Sequence, residues 1–350
     1  MHSNDNREIE PLNPRDLWKN IPTDPQSIYY KPDQCSLCDS YRDYVLIAAS
    51  IRGRSHANEG EARDDDFYAG KAGDSGWYIM AISDGAGSAE FSRRGSEITC
   101  RTIGAFCRNR LSNPELRLNR YIQDLEQRLV QDPLLTETDR NNIGDMAYEV
   151  LAAAAVEACR GIRAESERFN CSYSSEPDFI PAAPADYATT LQVAITRRLS
   201  SGMMVITFTI GDGLIVCRSS SSEDSVFTLM NMTDSGTYAG ETRFITSEKV
   251  ISSSAELRRR ISCCFFSSCE TIMLMTDGVY EPFFDSSREM ELNSKWIDFW
   301  KNLTATGKHH LDFDSLAPSD NTKLLSQWLN FYQPGSHDDR TMLIMYRRSL

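Results

Sequence analysis

Hydrophobic residues along the chain fall into short apolar runs separated by amphipathic stretches, and this pattern predicts the order of strands and helices. Residues 77–83, WYIMAIS, are apolar, aromatic or small and predict a buried strand. The run DYVLIAASIRG from Asp43, residues 271–275 and the closing MLIMY predict further strands. Helical periodicity marks residues 92–111, 114–130 and 140–169. These helices predict a layer that covers a sheet.

From Tyr187 the pattern changes to the alternation of strands, in YATTLQVAITRRL, GMMVITFTIGDGLIVCRSS and SVFTLMNM. Gly211-Asp212-Gly213 separates two apolar runs and predicts the turn of a hairpin. The polar residues 233–247 predict a flap packed on the sheet that becomes strand-like at residues 243–246. Further helices are predicted at residues 254–261, 287–304 and 319–332.

The first 40 residues differ from the rest in composition, being polar and interrupted by prolines at positions 11, 14, 22, 25 and 32. Such a segment predicts an irregular N-terminal arm. We expect one domain over residues 41–350, which is long enough to bury a large core. The helical stretch around residues 112–186 is expected to be an insertion in that domain.

Aspartates occur where several predicted strands end. Asp84 and Asp277 each follow an apolar strand and precede a glycine, and Asp212 lies between two strands. Residues 64–66 are three consecutive aspartates, which repel one another unless a cation or solvent screens them. A further pair, at 338–339, precedes the last strand. Carboxylate oxygens with few histidines suit Mg²⁺ or Mn²⁺ rather than Zn²⁺. Taken singly, an ordinary Asp-Gly turn explains Asp84, Asp212 and Asp277, and a solvated turn explains residues 64–66.

Charge and hydropathy exclude several classes of protein. The formal net charge of −13 argues against a nucleic-acid-binding surface. No apolar run approaches the roughly 20 residues of a spanning helix, and the first residues lack the apolar core of a signal peptide. We therefore expect a cytoplasmic protein that binds neither nucleic acid nor membrane.

The 10 cysteines are scattered through apolar segments, as expected of reduced, buried side chains. Cys35 and Cys38 form a C-x-x-C pair, for which zinc binding is the less favoured interpretation because a second pair is lacking. No cysteine is followed by arginine six positions later, which excludes a C-x5-R thiolate phosphatase loop. Neither Gly70-Lys71 nor Gly307-Lys308 continues into a Walker A motif.

Seven segments, taken together and in this order, resemble the metal-dependent protein phosphatase 2C family, in particular its stand-alone bacterial branch. They are RGRSHANEGEARDDDF, AISDGAGSAEFSRRGSEI, ATTLQVAI, TIGDGLIV, SGTYAGETRFITS, MLMTDGVYE and HDDRTMLIMY, and they span roughly residues 43–347. The resemblance implies an α+β fold, a four-layer αββα sandwich of two antiparallel sheets flanked by helices. It places the metal site at the edge of the sandwich, in a catalytic domain over residues 41–350.

The resemblance also implies roles for individual residues. Asp84 matches the carboxylate that bridges two Mg²⁺ or Mn²⁺ ions, and the Gly85 carbonyl matches a ligand of one of them. Asp277 and Asp338 match ligands of the second ion, with Asp338 preferred to Asp339 from the spacing of the motif. Asp65 matches the acidic residue that holds metal-bound water, with Asp64 as a possible helper. Asp212 matches a ligand of a third, weaker ion.

The chain departs from the family pattern at two points. Well-known members have histidine after the Asp-Gly, where it protonates the leaving oxygen, whereas this chain has Ala86. His56 is the candidate for a displaced general acid, and metal-bound water is the alternative. The family's phosphate-binding arginine has no clear match, so Arg52 and Arg54 are the first candidates. Further candidates are arginines 63, 93 and 94.

The implied activity is hydrolysis of phosphoserine and phosphothreonine in proteins, through attack of a water bridging the two ions and without a phosphoenzyme. The implied partner is a phosphorylated protein, a cognate serine/threonine kinase or its target. Two alternatives stay open from the sequence. One is a pseudophosphatase that binds a phosphorylated partner without turnover, which Ala86 favours. The other is hydrolysis of a small phosphoester.

Overall fold

The computed structural model describes residues 18–132, 134–220, 225–231 and 242–348. The strands are β1 (Gln34–Ser40), β2 (Tyr44–Ile51), β3 (Asp66–Lys71), β4 (Trp77–Ser83), β5 (Leu191–Leu199), β6 (Gly202–Ile210), β7 (Leu214–Ser220), β8 (Ser225–Leu229), β9 (Ile261–Phe266), β10 (Thr271–Met275) and β11 (Arg340–Arg347). The helices are α1 (Arg54–Glu59), α2 (Ser92–Ser112), α3 (Arg117–Leu129), α4 (Glu137–Tyr173), α5 (Glu248–Ile251), α6 (Ser254–Arg258), α7 (Asp277–Tyr280), α8 (Ser287–Met290), α9 (Asn293–Lys301) and α10 (Pro318–Leu329).

Two antiparallel sheets form the centre of the molecule. Among the described residues, one sheet has the strand order β1-β2-β11-β10-β7-β8 and the other has the order β3-β4-β5-β6-β9. Helices α2, α3 and α4 cover the five-stranded sheet, whereas α9 and α10 cover the six-stranded sheet. The predicted four-layer αββα sandwich is therefore confirmed.

Alternation along the central strands explains why they are apolar throughout. In β4, Trp77 and Ile79 pack under the helices while Tyr78 and Met80 pack between the two sheets. Successive side chains of a strand point to opposite faces, so a strand in the middle of four layers must be apolar on both. The continuous run at residues 77–83 reflects this double burial.

The hairpin predicted at Gly211-Asp212-Gly213 is wrong. β6 pairs with β5 and β9, whereas β7 pairs with β8 and β10 in the other sheet. The chain therefore crosses from one sheet to the other at Asp212. Gly211 has a φ of 100°, and a Cβ there would lie 2.6 Å from the Thr190 side chain. The glycines serve a tight crossing between layers, which local sequence does not distinguish from a hairpin turn.

The N-terminal segment also differs from its prediction. Residues 34–40, expected to be irregular, form β1 and pair with β2 along their whole length. The residues before it pack on the domain, and Thr23 and Lys31 are buried. Hydrogen bonds to the rest of the fold, rather than local periodicity, hold this segment, so composition alone did not reveal it.

Two smaller predictions are corrected as well. Residues 243–246 do not form a strand, and the rest of the predicted flap at 232–241 lies outside the described residues. Cys35 and Cys38 are three positions apart in β1 and therefore point to opposite faces of the strand. That geometry contradicts a shared zinc site. Within the described ranges, no helix combines the length and the apolar character needed to cross a bilayer.

The start of α2 packs against the loop that leads into β5. A Cβ on Gly95 would lie 2.0 Å from the carbonyl oxygen of Tyr187, the last residue of a short 3-10 turn at Pro184–Tyr187. Gly144 in α4 has no atom within 4 Å of its Cβ position. The two helical glycines are thus a matched pair, one required by packing and one not.

We expect Gly95→Ala to lower the free energy of unfolding by about 1–3 kcal/mol, because backbone must move to admit the methyl group. Gly144→Ala is the control and should raise that free energy by up to ~1 kcal/mol, because alanine is the better helix former. Urea unfolding of both variants measures the difference. Equal effects would contradict the close contact at Gly95.

Candidate metal centre

The strand registers bring the predicted aspartates to one edge of the sandwich. Asp66 pairs with Ser83, so Asp65 and Asp84 leave neighbouring strands at the same end. Met275 pairs with both Leu214 and Met342, which places Asp277, Asp212 and the 338–339 pair beyond that end of the other sheet. Antiparallel pairing thus assembles residues that are up to 274 positions apart in the chain into one cluster.

Three of these carboxylates lie close enough to share a cation. Oxygen atoms of Asp84, Asp212 and Asp277 all lie within 4.8 Å of one another. Burial raises the pKa of Asp84 well above its usual range, and the nearby charge of Asp277 adds to the effect. Burial, with the charges of Asp212 and Asp338, raises the pKa of Asp277 to about 7. The raised pKa values reflect carboxylates that lie close together in a partly buried site, where a cation would stabilise their ionised forms.

Asp65 lies deeper, beside the same cluster. It is 1% exposed, and its Oδ2 accepts a hydrogen bond of 3.0 Å from the Thr276 hydroxyl. Its Oδ1 is buried and finds no hydrogen-bond partner among the described residues. Burial and the charge of Asp339 raise the pKa of Asp65 well above its usual value. An orphaned carboxylate oxygen next to an all-oxygen ligand set fits a hard divalent cation or its water.

The backbone around Asp84 is fixed by the start of β5. The carbonyl oxygen of Asp84 accepts hydrogen bonds from the Thr189 hydroxyl (2.6 Å) and the Thr190 amide (2.8 Å), and its amide donates to the Thr190 hydroxyl at 3.0 Å. Gly85 follows in close contact with Asp64, since a Cβ on Gly85 would lie 2.8 Å from the Cβ of Asp64. Glycine is required there because a side chain would push the two acidic motifs apart.

Asp212 is held by two residues outside its own turn. Its Oδ2 accepts a hydrogen bond of 2.6 Å from the Thr242 hydroxyl. Its backbone carbonyl accepts a hydrogen bond of 3.0 Å from the Tyr280 hydroxyl, which belongs to the short helix α7 that begins at Asp277. The sheet crossing is thereby tied to the neighbouring motif.

The three consecutive aspartates each have a different environment. Asp64 accepts a hydrogen bond of 2.7 Å from the Ser92 hydroxyl, and its carboxylate also lies 3.4 Å from Arg93 Nε. Asp65 enters the carboxylate cluster. Asp66 forms an ion pair of 3.1 Å with Lys31. The three side chains thus have different partners, and the Lys31 ammonium group screens the charge of Asp66.

Asp338 and Asp339 have different surroundings. Asp339 is 2% exposed and accepts hydrogen bonds from the Gly53 amide (2.6 Å), the Asp64 amide and His56 Nδ1 (3.0 Å). Burial alone would raise the pKa of Asp339, but these donors lower it below its usual value. Asp338 is exposed. Asp338 is thus the residue of the pair that faces outward, and it is not one of the three carboxylates that lie within 4.8 Å of one another.

His56 lies between two acidic residues. Besides the contact of Nδ1 with Asp339, its Nε2 lies 3.5 Å from Asp64 Oδ2. Burial alone would lower the pKa of His56, but the hydrogen bond to Asp339 and the charges of Asp339 and Asp64 raise it to about 9. The imidazole is therefore protonated at neutral pH.

The arginines that are candidates for phosphate binding lie in different surroundings. Arg52 is 9% exposed and donates to the N-terminal segment, at the Thr23 hydroxyl (2.6 Å) and the Ile21 carbonyl (3.0 Å), and it pairs with Asp33. These contacts give Arg52 a structural use that does not support phosphate binding. Arg54 donates to the Phe331 carbonyl (3.2 Å) and lies over the Tyr332 ring. It lines a small cavity together with Asp338.

The remaining three arginines have acidic or backbone partners. Arg63 is 3% exposed and donates to Ser50 Oγ (2.8 Å) and to the Asp65 carbonyl. Arg93 pairs with Glu61 at 2.6 Å, beside Asp64, and Arg94 pairs with Glu97 and Glu165. Arg93 is thus the one of these three whose guanidinium borders an acidic side chain of the first motif.

Sequence reasoning missed Lys31 and the structural use of Asp339. Lys31 lies in a polar, proline-containing stretch that gave no periodic signal. One sequence feature bears on it, the repulsion among three consecutive aspartates, which a cation or solvent must screen. Asp339 could be separated from Asp338 by motif spacing, but its three donors come from residues 53–64, which only the fold brings near.

Comparison with known proteins places this arrangement in a family. The sequence model of the family described as Protein phosphatase 2C matches residues 52–316. Among solved structures, serine-threonine phosphatase 2C from Toxoplasma gondii is similar, with a TM-score of 0.51 and 10% identity over 91% of this chain and 100% of that chain. No curated protein sequence gives a significant match.

Two bacterial structures give lower scores. The serine/threonine phosphatase PstP/Ppp of Mycobacterium tuberculosis has a TM-score of 0.44 and 13% identity, over 88% of this chain and 100% of that chain. PppA of Pseudomonas aeruginosa, described as a regulatory component of T6SS, has a TM-score of 0.44 and 13% identity, over 89% of this chain and 100% of that chain. The match to the family model covers more than half of the sequence, and the chain therefore belongs to the protein phosphatase 2C family.

Proposed function

We propose that this protein is a metal-dependent protein serine/threonine phosphatase. The observation that carries the proposal is the convergence of Asp84, Asp212 and Asp277 within 4.8 Å at one edge of the sandwich. Carboxylates brought so close are stable together when a divalent cation offsets their charge. Membership of the protein phosphatase 2C family supports the same activity.

We propose Mg²⁺ or Mn²⁺ as the cofactor, two ions with a third bound more weakly. The Asp84 carboxylate would bind both ions, and the Gly85 carbonyl would bind one of them. Asp277 and Asp338 would bind the second ion. Asp65 would hold a coordinated water through its orphaned Oδ1, and Asp212 would belong to the third ion. The donor set is oxygen throughout, as these cations prefer.

Divalent cations in such a site lower the pKa of a water molecule and offset the negative charge of a phosphoryl group. The protein's own task is to hold the carboxylates in place. Thr189 and Thr190 fix the backbone of Asp84, and Thr276 orients Asp65. No cysteine of a C-x5-R loop is present, so the residues support direct hydrolysis without a phosphoenzyme.

His56 is the proposed general acid. Its Nδ1 is held by Asp339 at 3.0 Å, whereas the 3.5 Å between Nε2 and Asp64 Oδ2 is longer than a good hydrogen bond. This arrangement orients the ring and directs Nε2 toward Asp64, which packs against Gly85. Arg54 is the proposed phosphate ligand, because it lies near Asp338 and because the guanidinium of Arg52, which lines the same small cavity, binds the N-terminal segment.

The proposed substrate is a phosphorylated protein, with a cognate serine/threonine kinase or its target as the partner. A binding module without turnover is the second candidate. The observation that favours it is Ala86, whose small side chain stands where the family's best-known members have a histidine, and whose amide donates to the Ala188 carbonyl at 3.0 Å.

Hydrolysis of a phosphothreonine peptide in the presence of Mn²⁺ tests the proposal. Asp84→Asn and Asp277→Asn should each lower kcat more than about a hundredfold, because changes to residues that merely support metal ligands already cost 10–100-fold. EDTA should abolish turnover, and added Mn²⁺ should restore it.

Asp124→Asn, an exposed position on α3, is the control and should leave turnover unchanged. A wild-type protein that binds Mn²⁺ but does not hydrolyse the peptide would overturn the phosphatase assignment and favour the phosphoprotein-binding module. Binding of the intact phosphopeptide, measured by calorimetry, would then identify that function.

The role of His56 is tested with two leaving groups. A general acid matters for a serine or threonine alkoxide, but p-nitrophenolate leaves without a proton. We therefore expect His56→Ala to lower kcat on the phosphothreonine peptide by roughly 10²–10⁴ and to affect p-nitrophenyl phosphate far less. An equal loss on both substrates would contradict acid catalysis and show that His56 only positions Asp64 and Asp339.

A further inference from the structure

We propose that Lys31, in the segment preceding β1, is a positioning residue that fixes Asp65 for metal binding. This inference rests on the proposed function, since it concerns the same carboxylate cluster. It assigns to the N-terminal segment a role in the centre itself, beyond that of a connection to the first sheet.

The Lys31 ammonium group binds the backbone of the acidic motif directly. Nζ donates to the carbonyl oxygens of Asp65 (3.0 Å) and Asp64 (3.4 Å). It also donates to Ser96 Oγ at 2.8 Å and pairs with the Asp66 carboxylate at 3.1 Å. One buried group thus contacts all three consecutive aspartates, two through the backbone and one through the side chain.

These contacts determine where the Asp65 side chain points. Asp65 is the last residue of the loop that precedes β3, which begins at Asp66. The hydrogen bonds of a helix or sheet therefore do not fix its backbone. Arg63 donates to the same carbonyl and Ser96 Oγ donates to the Asp64 carbonyl. With the backbone held in this way, Asp65 Oδ2 accepts a hydrogen bond from the Thr276 hydroxyl, and Oδ1 is buried without a hydrogen-bond partner among the described residues.

Lysine suits this position because a single ammonium has three donor protons and a long, apolar stem. Lys31 is 5% exposed, so the group is almost completely removed from water. A buried charge is retained when it has a full set of partners, and here carbonyls, a hydroxyl and a carboxylate provide them. A methionine side chain, which has no N–H donor, would supply none of the hydrogen bonds to residues 64 and 65.

Arg52 provides a matched control. It is also a buried basic residue, and it holds the same N-terminal segment through Asn20, Ile21, Thr23 and Asp33. It also donates to the Glu61 carbonyl at 3.1 Å, but none of these side-chain contacts within the described part of the chain is with residues 64–66. Loss of Arg52 therefore loosens the segment, whereas loss of Lys31 loosens the segment and the acidic motif together.

The test measures Mn²⁺ binding to the full chain by electron paramagnetic resonance of free Mn²⁺, alongside thermal unfolding. We expect Lys31→Met to raise the Mn²⁺ dissociation constant by about 10–100-fold, the usual effect of losing a residue that orients a metal ligand. Arg52→Met should lower the unfolding temperature but leave the dissociation constant unchanged. The direction of the change in the dissociation constant separates positioning from charge. Removal of a nearby positive charge would by electrostatics alone lower that constant, because cation binding would become tighter.

Two further variants separate positioning from charge and guard against misfolding. Lys31→Met combined with Asp66→Asn removes both partners of the buried pair and leaves no unpaired charge. It should weaken Mn²⁺ binding as much as Lys31→Met alone, since the bonds to the two carbonyls are lost in both. Asp66→Asn alone keeps those bonds and should leave the dissociation constant unchanged.

Three results would overturn the proposal. They are unchanged or tighter Mn²⁺ binding in Lys31→Met, an equal weakening in Arg52→Met, or wild-type affinity in the double variant, which would trace the effect to the stranded Asp66 charge. Absence of Mn²⁺ binding in the wild type would defeat both this inference and the proposed function. Mn²⁺ binding without peptide hydrolysis would defeat the phosphatase activity alone, and the role of Lys31 would still be decided by the dissociation constants.

Discussion

Repulsion among buried carboxylates is the constraint on which this structure depends. Asp65 is buried and Asp84 and Asp277 are half-buried at one edge of the sandwich, and burial with mutual repulsion raises the pKa of each. Removing an ion from water costs several kcal/mol unless opposite charge or hydrogen bonds compensate. A fold that places these groups together must hold them rigidly, because each would otherwise turn toward solvent.

The sandwich supplies that rigidity through antiparallel register. Pairings between β3 and β4, and among β7, β10 and β11, fix where each strand ends and therefore where each aspartate begins. Side chains buried on both faces of the central strands prevent the register from slipping, since a shift of one residue would turn every side chain to the wrong layer. The packing of the core and the positions of the clustered aspartates therefore depend on the same strand register.

A shell of donors and cations then divides the acidic residues into those free to bind a metal and those already satisfied. Asp339 is neutralised by His56 and two backbone amides, and Asp66 by Lys31. Asp64 is shared by Ser92, His56 and Arg93. Adjacent aspartates with identical chemistry thus acquire different uses because of what the fold places opposite them.

The sequence by itself determined the layers and the edge. Apolar runs at residues 77–83 and 271–275, each followed by Asp-Gly, predicted strands that deliver carboxylates, and the helical periodicity of residues 92–111 predicted the covering layer. These predictions succeeded because burial on both faces leaves a continuous apolar signal. The choice of Asp338 over Asp339 as a metal ligand came from motif spacing and stays a prediction.

Only the tertiary structure decided the features that depend on distant partners. Gly211-Asp212-Gly213 has the local chemistry of a hairpin, yet it crosses between sheets, because β6 and β7 find their neighbours elsewhere in the chain. Arg52 and Lys31 are ordinary basic residues in sequence, and contacts with the N-terminal segment and with residues 64–66 give them separate uses. A local sequence pattern indicates which face of a helix or strand is buried, but it does not identify the distant residues that pack against that face.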